Sequence, residues 1–391
     1  MKAGKWIAAA AAVCVVAVAA VLVVRSEKQK KAEEAFVTEM QQVMDKYKCP
    51  GMSCVVVKDN KIIYNHNFGL KDIEAGIPVD DETMFRIASI SKSFTATSMM
   101  QMIEQGKVTL DTDVSTLAGF PIRNPKWPDT VITLEMLMSH TSSINDSQGY
   151  FSIDYINPDV NPDWAKCYSD YEPGTGYRYC NLNFNLTGTF LEKLSGERFD
   201  QYVVHHVLEP LGLYGGYCVD SLDASRFAKL YNVSKDGTPH EQPEAYDPRS
   251  EEIAAYRFGY DAPLFSPTGG MKITAIDLAK YMIMHMNYGY SPLAKVRIIS
   301  EESSRAMQTP RSEPEHYGLA LVRNGEYIPG VEIVGHTGGA YGLRSAMFFI
   351  PERKCGIVVI TNGSYNPWGE DGNILTGSLM VAFKHFLAEE D

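Results

Sequence analysis

Apolar residues Phe36, Met40, Val43 and Met44 recur at the three-and-four spacing of a helix face, which predicts a helix over residues 32–47; Cys49-Pro50-Gly51 stops it. The texture then changes. Residues 52–57 and 62–68 are β-branched and aromatic runs, and Asp59-Asn60 between them suits a tight hairpin turn. A second helix is expected from residue 89 to 106, where Met99, Met100 and Met102 fit core packing. From residue 107 to about 265, helical pieces at 134–138, 182–194 and 199–208 alternate with breaks such as Asn124-Pro125, Asn157-Pro158 and Asn161-Pro162, and a further helix is expected at 278–286. Strand signals return at 318–323, 332–334, 345–350 and 356–361, before a last helix over 373–387. The order is sheet, helices, sheet. It predicts an α/β (α+β) fold: an antiparallel sheet flanked by N- and C-terminal helices, with a mostly helical subdomain inserted and the two halves of the sheet rejoined in space.

The first residues follow a different rule. Nineteen residues from Trp6 to Val24 carry no charge, enough to cross a hydrocarbon layer of about 30 Å at about 1.5 Å per residue. Secretory signal peptides have shorter apolar regions, and cleavage at Ala17-Val18-Ala19 would leave Val21-Leu22-Val23-Val24 in the new terminal segment. An uncleaved membrane anchor is therefore expected over residues 1–32, together with a basic linker, and residues 33–391 form a single domain. Within it the α/β part is 33–105 and 266–391 and the helical part 106–265. Anchored or cleaved, the body lies outside the cytoplasm.

Charge and cysteine content narrow the class. The 391 residues carry a formal net charge of −12. Residues 1–31 hold six basic side chains and one acidic one, so the remainder sits at −17 and no nucleic-acid partner is expected. Six cysteines follow the apolar stretch: Cys49, Cys54, Cys167, Cys180, Cys218 and Cys355. Their spacing is no compact disulfide framework; a pair such as Cys167 with Cys218 is possible but not deducible. No His-Glu-x-x-His or Cys/His cluster is present, so neither metal nor cofactor is expected.

The candidate chemistry starts at Ser89 and Lys92. At the start of a helix this spacing puts a hydroxyl and an amine on one face, near the positive end of the helix dipole. Such a pair is common by chance, and a serine nucleophile also needs a proton relay and donors for an oxyanion. Two later stretches offer them. Tyr179-Cys180-Asn181 places a phenol and an amide two residues apart, and Gly335-His336-Thr337-Gly338-Gly339, between two strand runs, lets a ligand approach backbone N–H groups.

Ser-x-x-Lys, Tyr-x-Asn about ninety residues on, and a late His-Thr-Gly together resemble the serine β-lactamase and penicillin-binding superfamily. The branch is the one that contains class C β-lactamases, D-alanyl-D-alanine carboxypeptidases, D-aminopeptidases and β-lactamase-like esterases. Gly106-Lys107-Val108-Thr109-Leu110-Asp111, Leu137-Met138-Ser139-His140-Thr141-Ser142, Glu209-Pro210-Leu211-Gly212-Leu213 and Gly269-Gly270-Met271-Lys272 extend the resemblance, which runs from about residue 36 to the end. It implies Ser89 as acylated nucleophile, Lys92 and Tyr179 as base and relay, and Asn181 as a ligand for the substrate amide. By the same resemblance, backbone N–H groups of Ser89 and Gly339 form the oxyanion hole, with His336, Thr337 and Gly338 lining the pocket. The implied activity is hydrolysis of an amide or ester through an acyl-enzyme, first a D-amino-acid peptide of the cell-wall type. The alternatives are an esterase, a weak β-lactamase or a penicillin-binding sensor that acylates without turnover.

The departures from the pattern favour peptidase and esterase over efficient lactamase. His336 stands where most β-lactamases carry a lysine for the antibiotic carboxylate, and a histidine is at best partly charged near pH 7. No Glu-x-x-Leu-Asn is present. Cys180 replaces a usual serine and Ser143 a usual glycine, while His140, His205 and His206 read as structural.

Overall fold

The computed structural model describes residues 30–313, 315–365 and 373–388. Strands β1 (Gly51–Lys58) and β2 (Lys61–Asp72) form a hairpin. Its turn residues Asp59 (φ 52°) and Asn60 (φ 62°) both adopt the left-handed conformation, the turn geometry whose twist matches that of paired strands. A short β3 (Ile77–Pro78) extends one side. The late strands are β4 (Val322–Asn324), β5 (Ile333–Ala340), β6 (Leu343–Ile350) and β7 (Cys355–Thr361). All seven make one antiparallel sheet in the order β4-β5-β6-β7-β1-β2-β3. The seam between the halves is β1 against β7, with Val55 opposite Val358.

The alternation of β1 divides the core. Met52, Cys54 and Val56 pack with Phe36 and Met40 of helix α1 (residues 30–46) and with Leu379 of the last helix. Val55 and Val57 point the other way, into the larger cluster that holds Phe94, Met99 and Met102 of α2 (Ser91–Glu104) and Leu278 and Met282 of a later helix. Residues 106–265 supply the rest of this layer, including α3 (Asn181–Ser195); after them come α4 (Ala275–Met286) and α5 (Ile374–Phe386), the helices that contribute Leu278, Met282 and Leu379 to these clusters. Helix α2 is buried on nearly every side, so its hydroxyls find partners within the protein: Ser93 Oγ donates to Ile90 O at 2.8 Å, Thr95 Oγ1 donates to Pro267 O at 2.8 Å, and Thr97 Oγ1 pairs with the Tyr281 hydroxyl at 3.0 Å.

Two strands differ from the sequence pattern. The run at 318–323 is extended only from Val322, because Ala320 takes φ 63° and the chain bends there. The run at 332–334 instead continues to Ala340: its glycines have little strand propensity of their own, and pairing with β6 imposes the conformation. The six cysteines named above are unpaired, and five of them are buried. The uncharged stretch 6–24 lies outside the described residues; among those described, no helix is long and apolar enough to cross a membrane, and no cluster of His, Cys, Asp or Glu could hold a metal.

Candidate active site

Ser89 sits in a single 3-10 turn, Ala88–Ile90, that leads directly into α2. Ala88 before it holds φ 46°, a strained conformation for a residue with a Cβ, and strain of this kind collects where a side chain must be aimed. Lys92, in the first turn of α2, is 0 % exposed. Its Nζ lies 3.1 Å from Ser89 Oγ and donates to Asn181 Oδ1 and Thr268 O, each at 3.0 Å. Burial lowers the Lys92 ammonium to about 7, although Asp146 and Cys180 pull it upward. An amine near neutrality has two hydrogens and one lone pair. Two carbonyl oxygens, which can only accept, take the hydrogens, and the lone pair is left for the Ser89 hydroxyl.

Asn181 and Tyr179 flank this pair at the start of α3. The Asn181 amide is held on both sides: Oδ1 also accepts from Thr268 Oγ1 at 2.8 Å, and Nδ2 donates to Asp146 Oδ2 at 3.0 Å. It therefore holds Lys92 in place. Tyr179 is 36 % exposed, and its ring lies 4.7 Å from Lys92 Nζ. Burial around its phenol raises the pKa above the usual tyrosine range, and a hydrogen bond with Ser89 opposes the rise. Behind it lies His140, fully buried, with its ring centroid 4.4 Å from that of Tyr179 and Nδ1 accepting from Cys180 N–H at 3.3 Å. Burial and the neighbouring Lys92 hold His140 well below the ordinary imidazole range, so it backs the tyrosine as a neutral ring.

The Gly335–Gly339 stretch divides by alternation along β5. Beyond Gly335 this strand pairs with no outer strand among the described residues, and that edge runs beside the Ser89 turn. Gly338 is where the two meet: a Cβ there would fall 2.3 Å from both Ile87 O and Ser345 Oγ, so only glycine permits the approach. Gly339 lines the Ser89 cleft, a cavity of about 440 Å³ that Tyr179, Asn181 and Thr268 also bound. His336 stands behind the cleft, with its ring centroid 6.2 Å from that of Tyr179. It is 5 % exposed, its Nδ1 faces the Thr337 carbonyl and so carries the hydrogen, and its Nε2 accepts from the Tyr317 hydroxyl at 2.9 Å. Burial, with Lys92 nearby, lowers its pKa to about 3. Thr337 is turned to the opposite face, where its hydroxyl meets Tyr327. Neither His336, Thr337 nor Gly338 is part of the cleft wall.

Asp146 and Thr268 carry no motif and were not singled out by the sequence. Asp146 accepts from Asn181 N, Leu182 N and Cys180 Sγ at 2.9, 3.0 and 3.1 Å, so it caps α3 from another loop while holding Asn181. Cys180, the departure from serine, is thus a donor to this carboxylate. Ser143, the departure from glycine, keeps a glycine-like φ of 64° and accepts from Asn124 Nδ2 at 3.0 Å. Replacing Asp146 by Asn removes both the anchor of Asn181 and the charge that raises the Lys92 pKa. The expected result is a loss of about 10–100-fold in kcat/KM, from misplacement, with the acid limb of the pH–rate profile moved to lower pH; an unmoved limb would show that Asp146 only caps the helix. His205 and His206 pair with Glu197 elsewhere on the surface.

The chain has relatives among known proteins. Over 333 residues the chain is 27% identical to penicillin-binding protein 4 of Amycolatopsis lactamdurans, covering 80% of this chain and 81% of that protein. It is 23% identical over 324 residues to the protein flp of Staphylococcus aureus (strain MRSA252), again over 80% of the chain, but it spans only 59% of the length of flp. Among solved structures, the octameric penicillin-binding protein homologue from Pyrococcus abyssi superposes with a TM-score of 0.67 at 28% identity, covering 86% of this chain and 74% of that one. The family model described as Beta-lactamase matches residues 36–377, and the chain accordingly belongs to the beta-lactamase family of serine hydrolases, which includes penicillin-binding proteins.

Proposed function

We propose that Ser89 is the acylated nucleophile of a hydrolase that cleaves an amide or ester, first of all in a D-amino-acid peptide of the cell-wall type. The observation that carries this reading is the position of Lys92 Nζ, 3.1 Å from Ser89 Oγ and 3.0 Å from both Asn181 Oδ1 and Thr268 O; with its two amine hydrogens given to those two carbonyl oxygens, a neutral Lys92 turns its lone pair to Ser89. Lys92 takes the Ser89 proton as Oγ bonds to the substrate carbonyl carbon. The oxyanion is held by the backbone N–H groups of Ser89 and Gly339. Tyr179, protonated at neutral pH, gives its phenolic hydrogen to the leaving group as the bond to the carbonyl carbon breaks, and is reprotonated from Lys92. Water then attacks the acyl-enzyme, losing a proton through the same two residues, and Ser89 recovers its hydrogen. Lys92, with the lower pKa, is the base of the free enzyme. Residues 6–24 anchor the chain in a membrane with this domain outside the cytoplasm.

A second reading, an esterase, draws on His336: neutral, and engaged through both nitrogens, it offers no charge to a substrate carboxylate at that point of β5. Assaying the full-length protein side by side on a D-Ala-D-Ala peptide, D-amino-acid amides, a short-chain aryl ester and a chromogenic β-lactam separates these readings. Mass spectrometry follows the adduct. Turnover with a transient adduct on Ser89 is expected; a persistent adduct without turnover on any substrate points to a sensor, and absence of both sinks the proposal.

A further inference from the structure

Past Ser266 and Tyr341 the Ser89 cleft continues into a second cavity of about 350 Å³. Two cations form its floor: Arg86, 8 % exposed, and Lys272, 3 % exposed. They stand directly opposite each other in the short antiparallel pairing of Met84–Arg86 with Lys272–Thr274. Like charges at such a position repel, and a buried cation is costly without an anion. Yet their partners are neutral. Arg86 Nε donates to Gly269 O at 2.9 Å and Nη1 to Ala245 O at 3.0 Å, while Lys272 Nζ donates to Tyr217 O. Among the described residues neither cation forms an ion pair with a carboxylate. Arg249, half-buried, adds a third cation to the wall, already paired with Glu252 at 3.0 Å. The carboxylates that line the cavity, Glu244 and Asp247, are exposed at its rim.

We propose that this cavity is a carboxylate subsite: Arg86 and Lys272 hold an anionic group of a substrate whose scissile carbonyl lies at Ser89. The inference rests on the reading of Ser89 as nucleophile and deepens it. Arg86 touches both cavities, so one extended substrate can occupy the two at once. It also supplies the charge recognition that the buried, neutral His336 does not provide. Burial and the facing Arg86 lower the Lys272 pKa well below the ordinary lysine range, and an anion placed between the two would offset both causes.

The full-length protein would be assayed on two matched pairs. In one, aryl esters share a leaving group and differ in the acyl chain, butyrate against the glutarate monoester. In the other, a D-Ala-D-Ala peptide is set against its C-terminal amide. The wild type should prefer the carboxylate member of one pair, and the responding pair identifies the acyl or the leaving-group side. Lys272→Met, which keeps the volume and removes the charge, should cut that preference in kcat/KM at least about tenfold, the effect of losing one charge-assisted hydrogen bond. No preference in either pair, or one that Lys272→Met leaves within about twofold, overturns the subsite and assigns both cations to structure. Should Lys272→Met fail to fold by thermal melt, competition on the wild type decides. Free glutarate must then inhibit at least about tenfold better than glutaramide, and equal inhibition overturns the proposal. Ser89→Ala separates the two failures: ester hydrolysis lost in that variant without any carboxylate preference in the wild type leaves the nucleophile standing and removes only the subsite.

Discussion

Ser89→Ala is expected to lower turnover on any substrate by about three to six orders of magnitude, the range found when a serine nucleophile is removed from machinery that otherwise stays in place. The fold should not register the change. Ser89 is half-buried in its 3-10 turn, its Oγ serves as partner to Lys92 and Tyr179 rather than to the core, and α2 begins two residues later on its own hydrogen bonds. A melting curve close to the wild type together with the loss of turnover separates chemistry from stability. Mass spectrometry after incubation with a β-lactam gives a second readout, since the adduct on the Ser89 peptide must vanish as well. Wild-type hydrolysis in this variant would place the nucleophile elsewhere.

Lys92→Met should cost about 10²–10⁴-fold, the worth of a positioned general base. Methionine fills a similar volume and removes a charge from a site with no exposure, so stability is expected to hold or rise. The pH profile is the sharper test. With the ammonium lowered to about 7, the fraction of neutral Lys92 falls roughly tenfold per unit below that pH, and kcat/KM of the wild type should fall with it. Above 7 the profile should flatten. In Lys92→Met this acid limb must disappear; a limb that persists near 7 would assign the titration to another group.

The regular elements were legible because their signals are local. The Asp59-Asn60 turn, the apolar stripe of Phe36 and Met40, and the Ser89–Lys92 spacing each depend on neighbours within one or two turns. The roles within β5 were not. That His336 is buried, neutral and set behind Tyr179 depends on Tyr317, nineteen residues earlier, and on the packing of residues distant in the chain. Asp146 and Thr268 escaped for the same reason. Each comes from a loop with no pattern of its own, and each matters only because the fold brings it to Asn181. Ser143 shows the reverse: a residue that departs from the family's glycine while the backbone keeps the glycine-like angle.

The seam between β1 and β7 also governs when the enzyme can come into being. These strands are about three hundred residues apart in the chain, and β1 is buried on both sides once β7 arrives. Until the last strands have been synthesised, β1 keeps an open, apolar edge of the kind that recruits other chains, and the glycine edge of β5 is not yet beside the Ser89 turn. Long-range pairing of this sort is slow to form. The Ser89 cleft is thus complete only once the carboxyl-terminal strands have paired, and a chain cut before residue 355, which lacks β7, is expected to aggregate rather than to persist as a weaker enzyme.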